Sequence, residues 1–188
     1  MNLREKLVDI ASQSSWCMSA LSTVREMGLE SWCIGAGAIR NLVWDSLHGY
    51  EIPTQLADVD VAYFDASDLS STRNAEIQSR LAAHCPGVPW EVTNQAAVHL
   101  WFEKVFGHSV PPLTSLSEAI ASWPEYATAV GLTLRDDGTI DIWAPYGLDD
   151  LFSMVVRRNP TRVSIDTYRR RIEQKRYLER WPRATVIV

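Results

Sequence analysis

Two aspartates, Asp58 and Asp60, stand two residues apart in a stretch that alternates polar and apolar side chains. Side chains two apart on a β-strand point to the same face, so a strand here brings both carboxylates together and turns Val59 and Val61 to the core. Adjacent carboxylates repel each other and are tolerated where a cation lies between them. Such oxygen ligands suit Mg²⁺, which takes one or two carboxylates together with water and substrate phosphates. A pair of solvated aspartates at a strand end is the alternative interpretation.

A glycine-containing turn precedes the aspartates, between a predicted strand and a predicted helix. The run from Gly35 through Ala36 and Gly37 to Arg40 allows the backbone to turn sharply and to approach a ligand closely. The N-terminus of the following helix offers free N–H groups and the positive end of its dipole to a phosphate. Arg40, in the first turn, can add bidentate phosphate contacts. The alternative is a turn whose glycines serve packing alone, with Arg40 on the surface.

The elements that must position these residues form an alternating series of helices and strands. The hydrophobic periodicity predicts helices over about 2–27, 38–48, 72–85, 94–106, 116–123, 148–156 and 164–180. It predicts strands over 31–34, 58–64 and 90–93, and a late hairpin that joins 127–134 to 139–143. Because no internal repeat or low-complexity linker interrupts the series, we expect a single α+β domain over residues 1–188.

The charge distribution divides the chain into an acidic body and a basic C-terminal segment. The 188 residues are 46% hydrophobic and carry a formal net charge of -5, which excludes intrinsic disorder. Residues 1–156 contain 8 Lys and Arg against 20 Asp and Glu, whereas 157–188 contain 10 against 3. The overall acidity argues against non-specific coating of nucleic acid. The basic helical segment, about 157–183, either pairs with the acidic body or reaches a ligand phosphate, for example through Lys175.

The cysteines and the apolar runs indicate the compartment. Cys17, Cys33 and Cys85 are odd in number and form no C-x-x-C pair, so neither a disulfide framework nor a zinc site is predicted. The first ten residues mix charged and apolar side chains and lack the apolar region of a signal peptide. No apolar run approaches the eighteen or so residues that a membrane span needs. We therefore expect a cytoplasmic protein with no membrane partner.

The strand, glycine turn, helix, loop and D-x-D strand follow one another in a layout similar to that of a known superfamily. The residues from Gly35 to Asn41, Pro53 in the loop, and Asp58 to Val61 resemble the nucleotidyltransferase superfamily of DNA polymerase β, and especially CCA-adding enzymes and bacterial poly(A) polymerases. Over nearly its full length the chain resembles a family of small bacterial nucleotidyltransferase-like proteins. Three further stretches carry that resemblance, namely residues 90–96, 144–152 and 158–160.

The resemblance implies a mixed sheet flanked by helices and a two-metal site that uses Mg²⁺ or Mn²⁺. It assigns Asp58 and Asp60 to the metals and Glu91 as a third carboxylate, either ligand or proton acceptor. It assigns Gly35 and Gly37 to the phosphate-binding turn. Together with Ala36, Arg40 and Asn41 beside them, and with Lys175 of the basic segment, they make up the predicted nucleotide-binding residues. The implied reaction moves a nucleoside monophosphate from an NTP to an acceptor, for which a small molecule, a protein hydroxyl or a short RNA end is favoured over long nucleic acid. The identity of the acceptor and the oligomeric state stay open.

Three departures from the pattern of these families support a second hypothesis. Ala36 stands where many members have glycine or serine, and Asn41 stands where tail-adding enzymes have aspartate. Ala97 occupies a position where relatives of the small family often have arginine. A module that binds a nucleotide or a partner on the same fold, with weak or no turnover, is therefore the alternative to an enzyme.

Overall fold

The computed structural model describes residues 2–188, in which helices and strands alternate through the first two thirds. Its α-helices are α1 (Leu3–Gln13), α2 (Ser15–Arg25), α3 (Ala36–His48), α4 (Ser71–His84), α5 (His99–Phe106), α6 (Leu116–Ala121), α7 (Asp149–Phe152), α8 (Ile165–Lys175) and α9 (Tyr177–Arg180). Its strands are β1 (Trp32–Gly35), β2 (Val59–Tyr63), β3 (Trp90–Asn94), β4 (Gly131–Leu134), β5 (Ile140–Trp143), β6 (Val155–Arg157) and β7 (Thr185–Ile187). The α+β class is the predicted one.

Five strands form one mixed sheet in the order β3-β2-β1-β4-β5. The strands β2 and β3 run parallel, and their register sets Asp60 directly beside Glu91. The strand β1 runs antiparallel to both β2 and β4, and β4 runs antiparallel to β5. The mixed sheet implied by the resemblance is therefore present, with the carboxylate-bearing strands β2 and β3 at one edge.

The two faces of the sheet are covered to different extents. Val59, Val61 and Tyr63 of β2 belong to the main core, which they share with residues of α1 to α4. The opposite face carries a smaller apolar cluster in which Ala62 of β2 packs with residues of α6. Because side chains alternate along a strand, Asp60 projects from the same face as Ala62, but toward the end where the cover of α6 stops. Beside Asp60 the cover comes instead from α8, whose Arg171 lines a small cavity together with Asp60 and Glu91.

Two predicted helices are interrupted, one near its middle and one at its start. The segment 2–27 forms two helices instead of one, because the backbone at Ser14 is extended and its side chain caps the N-terminus of α2. The segment 94–106 begins with a short 3₁₀ turn, Gln95–Ala97, before α5. Asn94 caps that turn, as its position predicts. Polar capping residues inside a continuous apolar periodicity explain both interruptions.

The C-terminal third differs most from the prediction. The segment 148–156 is not one helix, because Met154 has φ +54° and the residues after it pair in parallel with β7 as β6. The helix predicted over 164–180 is divided into α8 and α9 by Arg176, which has φ +48°. Pairing with a strand near the C-terminus is a long-range interaction, and local periodicity carries no information about it.

The late hairpin is present with a shorter first strand. Strand β4 begins at Gly131, because residues Tyr126–Thr128 form a 3₁₀ turn before it. Gly138 closes the turn with φ +84°, a conformation that glycine adopts without strain. The pairing of β4 with β5 confirms the hairpin that the Asp-Asp-Gly signal predicts.

Across residues 2–188, no helix has both the length and the apolar character that crossing a membrane requires. Cys17, Cys33 and Cys85 are free thiols, the first two buried.

Candidate active site

Three carboxylates lie along the edge of the sheet formed by β2 and β3. Asp60 and Glu91 are register partners on the two parallel strands, and Asp58 lies two residues before Asp60. In the described part of the chain, none of the three side chains makes a hydrogen bond or an ion pair with another residue. Because their oxygen atoms have no protein partners, these carboxylates remain available to a ligand.

Burial and crowding change the acidity of Asp60. Its pKa rises to about 7, because burial disfavours the charged form and because the charges of Asp58 and Glu91 oppose it. Arg171 and Lys175 act in the opposite direction and offset only part of the effect. A cation placed among these carboxylates would remove the repulsion and return Asp60 to its ionised form.

The donor set fits a hard divalent cation that keeps ligands of its own. Within residues 2–188, no three His, Cys, Asp or Glu side chains converge closely enough to hold a metal ion by themselves. An ion that requires a complete protein cage is therefore not accommodated. Mg²⁺ and Mn²⁺ suit one or two carboxylates, with water and substrate phosphate completing the coordination, and Asp58 and Asp60 offer carboxylates of that kind.

The turn between β1 and α3 is tighter than the sequence predicts. The helix α3 begins at Ala36, two residues earlier than predicted, and Gly35 at its N-cap provides no capping side chain. Ala36 has φ +53°, in the left-handed region that favours glycine, and its N–H donates to the carbonyl of Val130 at 3.1 Å. The N–H groups of the next residues are uncapped, so the start of α3 is suited to an anion.

The two glycines of the turn serve different purposes. A Cβ on Gly35 would lie 2.5 Å from the indole ring of Trp123, so glycine there allows Trp123 to pack against the strand. A Cβ on Gly37 would meet nothing closer than Nη2 of Arg40, at 3.8 Å. Packing therefore explains Gly35 fully. At Gly37 the space beside the backbone is open.

Arg40 and Asn41 lie in the interior instead of at an exposed first turn. Arg40 is only 3% exposed, and its guanidinium carbon lies 5.0 to 5.5 Å from the ring centroids of Trp44, Tyr177 and Trp181. Nη2 donates to Oδ1 of Asn41 at 2.7 Å, whereas Nε and Nη1 have no hydrogen-bond partner. The alternative interpretation, in which Arg40 lies on the surface, is wrong, because α9 and Trp181 cover this side of α3.

The basic C-terminal helix α8 lies close to the carboxylates Asp60 and Glu91. Arg171 lines a small cavity of about 190 Å³ together with Ala36, Asp60 and Glu91. Lys175 lies one turn further along the same helix face. Its pKa is lowered by burial and by the charge of Arg171, while the charge of Asp58 acts to raise it. The predicted ligand-binding residue Lys175 is therefore close enough to Asp58 for their charges to interact.

Glu125 and Arg171 form a buried ion pair that the sequence pattern does not indicate. Glu125 is 1% exposed, and its Oε1 accepts from Nε of Arg171 and from the hydroxyl of Tyr177, each at 2.7 Å. Burial alone would raise the pKa of Glu125, but Arg171 and Arg40 outweigh burial and lower it. A carboxylate within the apolar stretch from Trp123 to Ala127 was the available signal.

Two larger cavities differ in their relation to the carboxylates. One of about 760 Å³ lies between α5 and α8 and shares Glu91, Gln95 and Arg171 with the small cavity. The other, about 910 Å³, is lined by Asn41 and Asp45 and by none of the three carboxylates. The cavity near Glu91 is therefore the one that can hold a molecule in contact with the site.

Comparisons with known proteins point to one family. A family model described as nucleotidyltransferase matches residues 22–186. No curated protein sequence matches the chain. A solved structure described as an NMR structure that reveals a CCA-adding enzyme head domain is 27% identical, with a TM-score of 0.80 over 97% of this chain and 95% of that chain.

Two longer chains share the fold at lower identity. The Thermotoga maritima CCA-adding enzyme complexed with tRNA is 12% identical, with a TM-score of 0.57 over 98% of this chain and 42% of that chain. A CCA-adding enzyme in complex with CTP is 12% identical, with a TM-score of 0.58 over 100% of this chain and 44% of that chain. The present chain spans less than half the length of these two enzymes.

Proposed function

The chain belongs to the nucleotidyltransferase family, and on that basis we propose that it transfers a nucleoside monophosphate from an NTP to a hydroxyl group of an acceptor. The single observation that carries this proposal is the set of carboxylates Asp58, Asp60 and Glu91, which lie together at the sheet edge formed by β2 and β3 and have no hydrogen-bond partner in the described chain. Carboxylates held in mutual repulsion beside a cavity are suited to a catalytic cation.

Asp58 and Asp60 would hold Mg²⁺ or Mn²⁺, and Glu91 would act as a third ligand or as the proton acceptor. When bound, such an ion neutralises charge on the triphosphate and makes a hydroxyl more acidic. The open backbone at Gly37 and the uncapped start of α3 would bind phosphate oxygens. Arg171 and Lys175 would add positive charge on the opposite side, from α8.

The reaction balances without any further reactant. The acceptor oxygen forms a bond to the α-phosphorus of the NTP, and the bond from that phosphorus to the bridging oxygen of the β-phosphate breaks. The hydroxyl proton passes to a carboxylate, and pyrophosphate leaves. Catalysis of such a step rests mainly on alignment and on stabilisation of charge, which explains why the site needs no nucleophilic side chain.

Arg40 and Asn41 receive a supporting role in this proposal. The aromatic cage around Arg40 joins α3 to α9, and Asn41 accepts the hydrogen bond from Arg40. These contacts hold the beginning of α3 firmly behind the phosphate-binding turn. They also connect the body of the chain to its basic segment, in support of a single domain over residues 1–188.

The base of the NTP and the compartment belong to the same proposal. One similar enzyme is described in complex with CTP and another with tRNA, so an NTP substrate is supported and an RNA acceptor is a candidate. We keep a small molecule, a protein hydroxyl and a short RNA end as acceptor classes. The unpaired cysteines agree with the reducing cytoplasm that we propose as the location.

The test follows the labelled α-phosphate. The protein is incubated with Mg²⁺ or Mn²⁺, with each of four NTPs labelled at the α-phosphate, and with fractionated cell extract. We expect pyrophosphate release coupled to transfer of the label to one fraction, and loss of both with Asp58→Asn. An Asp136→Asn variant, changed in the exposed hairpin turn, should retain both. Absence of nucleotide binding with either metal would refute the proposal.

A nucleotide-binding module without turnover is the second candidate, and the residue type at position 36 favours it. Ala36 stands where many members of the similar families have glycine or serine, so the turn offers no side-chain hydroxyl to a triphosphate. If an NTP binds with Mg²⁺ but the label never reaches an acceptor, and Asp60→Asn changes only affinity, this second function holds.

A further inference from the structure

The cavity of about 760 Å³ between α5 and α8 is built from two unlike walls. One wall is apolar and aromatic, and Trp101, Phe102 and Phe106 of α5 form most of it. Trp101 is 41% exposed and Phe106 is 40% exposed, a large apolar area for one short helix. The volume of the cavity lies within the range of roughly 300–1,000 Å³ that is typical of small-molecule sites.

The second wall of this cavity is cationic. Lys104, Arg162, Arg170 and Arg171 all line it, and Glu91 is the one carboxylate among its lining residues. Across residues 2–188, Arg171 is the only one of the four that forms an ion pair with a carboxylate. None of the other three is neutralised by an ion pair within the described chain, and the charge of Glu118, which is not among the lining residues, acts on Arg162 from outside the cavity.

The guanidinium of Arg162 has a buried N–H group for which the described chain provides no acceptor. The guanidinium lies over the ring of Phe102 at 5.8 Å, and Nη2 donates to the carbonyl of Pro111 at 2.6 Å. Nη1 is buried and has no hydrogen-bond partner. An arginine stacked on an aromatic ring with a free N–H group is suited to a planar ligand that also carries an anionic group.

The cavity opens directly onto the carboxylate site. It shares Glu91, Thr93, Gln95 and Arg171 with the small cavity that contains Asp60 and Ala36. The phosphate-binding turn lies on the β1 side of Asp60, whereas this cavity lies on the β3 side, at the edge strand. A molecule in the cavity would therefore approach from the side opposite to the triphosphate, with Glu91 between the two.

The geometry points to this cavity as the site of the acceptor, and to the acceptor as a small hydroxyl compound that carries a phosphate group and a flat apolar part. This inference rests on the proposed function. The phosphate would pair with Arg162 and Arg170, and the flat part would lie against Trp101 or Phe102. The hydroxyl oxygen would then attack the α-phosphorus, its proton passing to Glu91 as pyrophosphate leaves.

The probe for this site is phenyl phosphate, which combines a ring with a phosphate dianion. Its binding is measured by calorimetry on the full chain at fixed salt, with Arg162→Gln, Arg170→Gln and the control Arg169→Gln. Arg169 lies on the same helix but pairs with Asp166. We expect wild-type protein and Arg169→Gln to bind alike, and each of the other two variants to bind roughly tenfold more weakly. Because Arg170 is exposed, its variant retains the fold even if Arg162→Gln does not.

The second arm separates the two proposals by measuring MgATP binding and label transfer on the same samples. Retained MgATP affinity in Arg170→Gln, with weaker phenyl phosphate binding, supports a separate acceptor site. Equal phenyl phosphate binding in all four proteins, no binding of the probe to wild-type protein, or full displacement of the probe by MgATP would overturn the inference while the proposed transfer stands. Binding of a short RNA oligonucleotide that depends on Arg162 and Arg170, without phenyl phosphate binding, would replace the small molecule by an RNA end.

Discussion

The charge of Arg171 acts on two buried carboxylates, Glu125 and Asp60, whose surroundings are otherwise opposite. Glu125 is satisfied by three side chains, Arg171, Tyr177 and Thr128. Asp60 has no hydrogen bond from any residue in the described chain and is opposed by two neighbouring carboxylates. The pKa of Glu125 is lowered and that of Asp60 is raised, although both feel the charge of Arg171.

The difference separates structure from chemistry at the level of single carboxylates. A buried carboxylate that stabilises the fold forms an ion pair with a cationic side chain of the same protein, as Glu125 does with Arg171. An acid intended for a ligand is left in an unfavourable state that the ligand relieves. By this criterion we propose a functional role for Asp60 and a structural role for Glu125, even though both are largely buried.

The largest effect is expected where the chemistry depends on Asp60. The Asp60→Asn substitution removes one charge and little volume, so we expect the rate of nucleotidyl transfer to fall by about 10³-fold while the fold persists. The assay is release of pyrophosphate under saturating NTP and Mg²⁺. Asp136→Asn serves as the control and should keep the wild-type rate. A rate of Asp60→Asn within tenfold of the wild-type rate would contradict the catalytic role proposed for Asp60 and remove its difference from Glu125.

The next effect tests the structural acid. Glu125→Gln leaves Arg171 and Arg40 without their buried counter-charge, so we expect the free energy of unfolding to fall by roughly 3–5 kcal/mol. Denaturant titration measures it. Glu179, which forms an exposed ion pair with Arg176, provides the control, and Glu179→Gln should change stability by less than about 1 kcal/mol. Similar losses in both variants would contradict the role given to Glu125.

The pH dependence of stability distinguishes Asp60 from an ordinary surface acid. A folded-state pKa of about 7 lies above the unfolded value of about 3.9, so the folded state binds the proton more tightly and loses stability as pH rises between these values. Without divalent cations, we expect Asp60→Asn to raise the free energy of unfolding by on the order of 2 kcal/mol at pH 8. At pH 4 the gain should be absent. A gain that is equal at both pH values would contradict the raised pKa.

The smallest effect concerns the backbone of the turn. Because Ala36 has φ +53°, we expect Ala36→Gly to stabilise the protein by roughly 0.5–1 kcal/mol. Ala82 in the exposed part of α4 has ordinary helical geometry, and Ala82→Gly should destabilise by about 1 kcal/mol. Thermal unfolding of the two variants therefore gives shifts of opposite sign. Destabilisation by Ala36→Gly would mean that the turn carries no strain.

Local patterns in the sequence predicted the elements that bear the site. The alternation around Asp58 and Asp60 predicted β2, and the glycine run predicted the turn into α3. The mixed sheet followed from the resemblance, because strand order depends on partners that local periodicity does not identify. The same limit explains β6, whose helix-like apolar run became a strand only through pairing with β7.

Residues that depend on distant contacts escaped the sequence analysis. Arg40 resembles any first-turn arginine in the sequence, and its interior position follows from α9 and Trp181, more than 130 residues away. Glu125 becomes structural through Arg171, 46 residues along the chain. The spacing of Arg171 and Lys175, four residues apart, was a usable signal for one inward face of the basic helix.

Calorimetric titration of Mn²⁺ tests most directly whether Asp58 and Asp60 bind a cation. The titration is made with a non-hydrolysable NTP analogue present, at pH 8, on wild-type protein, Asp60→Asn and Asp136→Asn. We predict that wild-type protein and Asp136→Asn bind the ion with equal affinity and that Asp60→Asn binds it roughly 10–100-fold more weakly. Equal affinity in all three proteins, or no binding to wild-type protein, would contradict a cation site at Asp60.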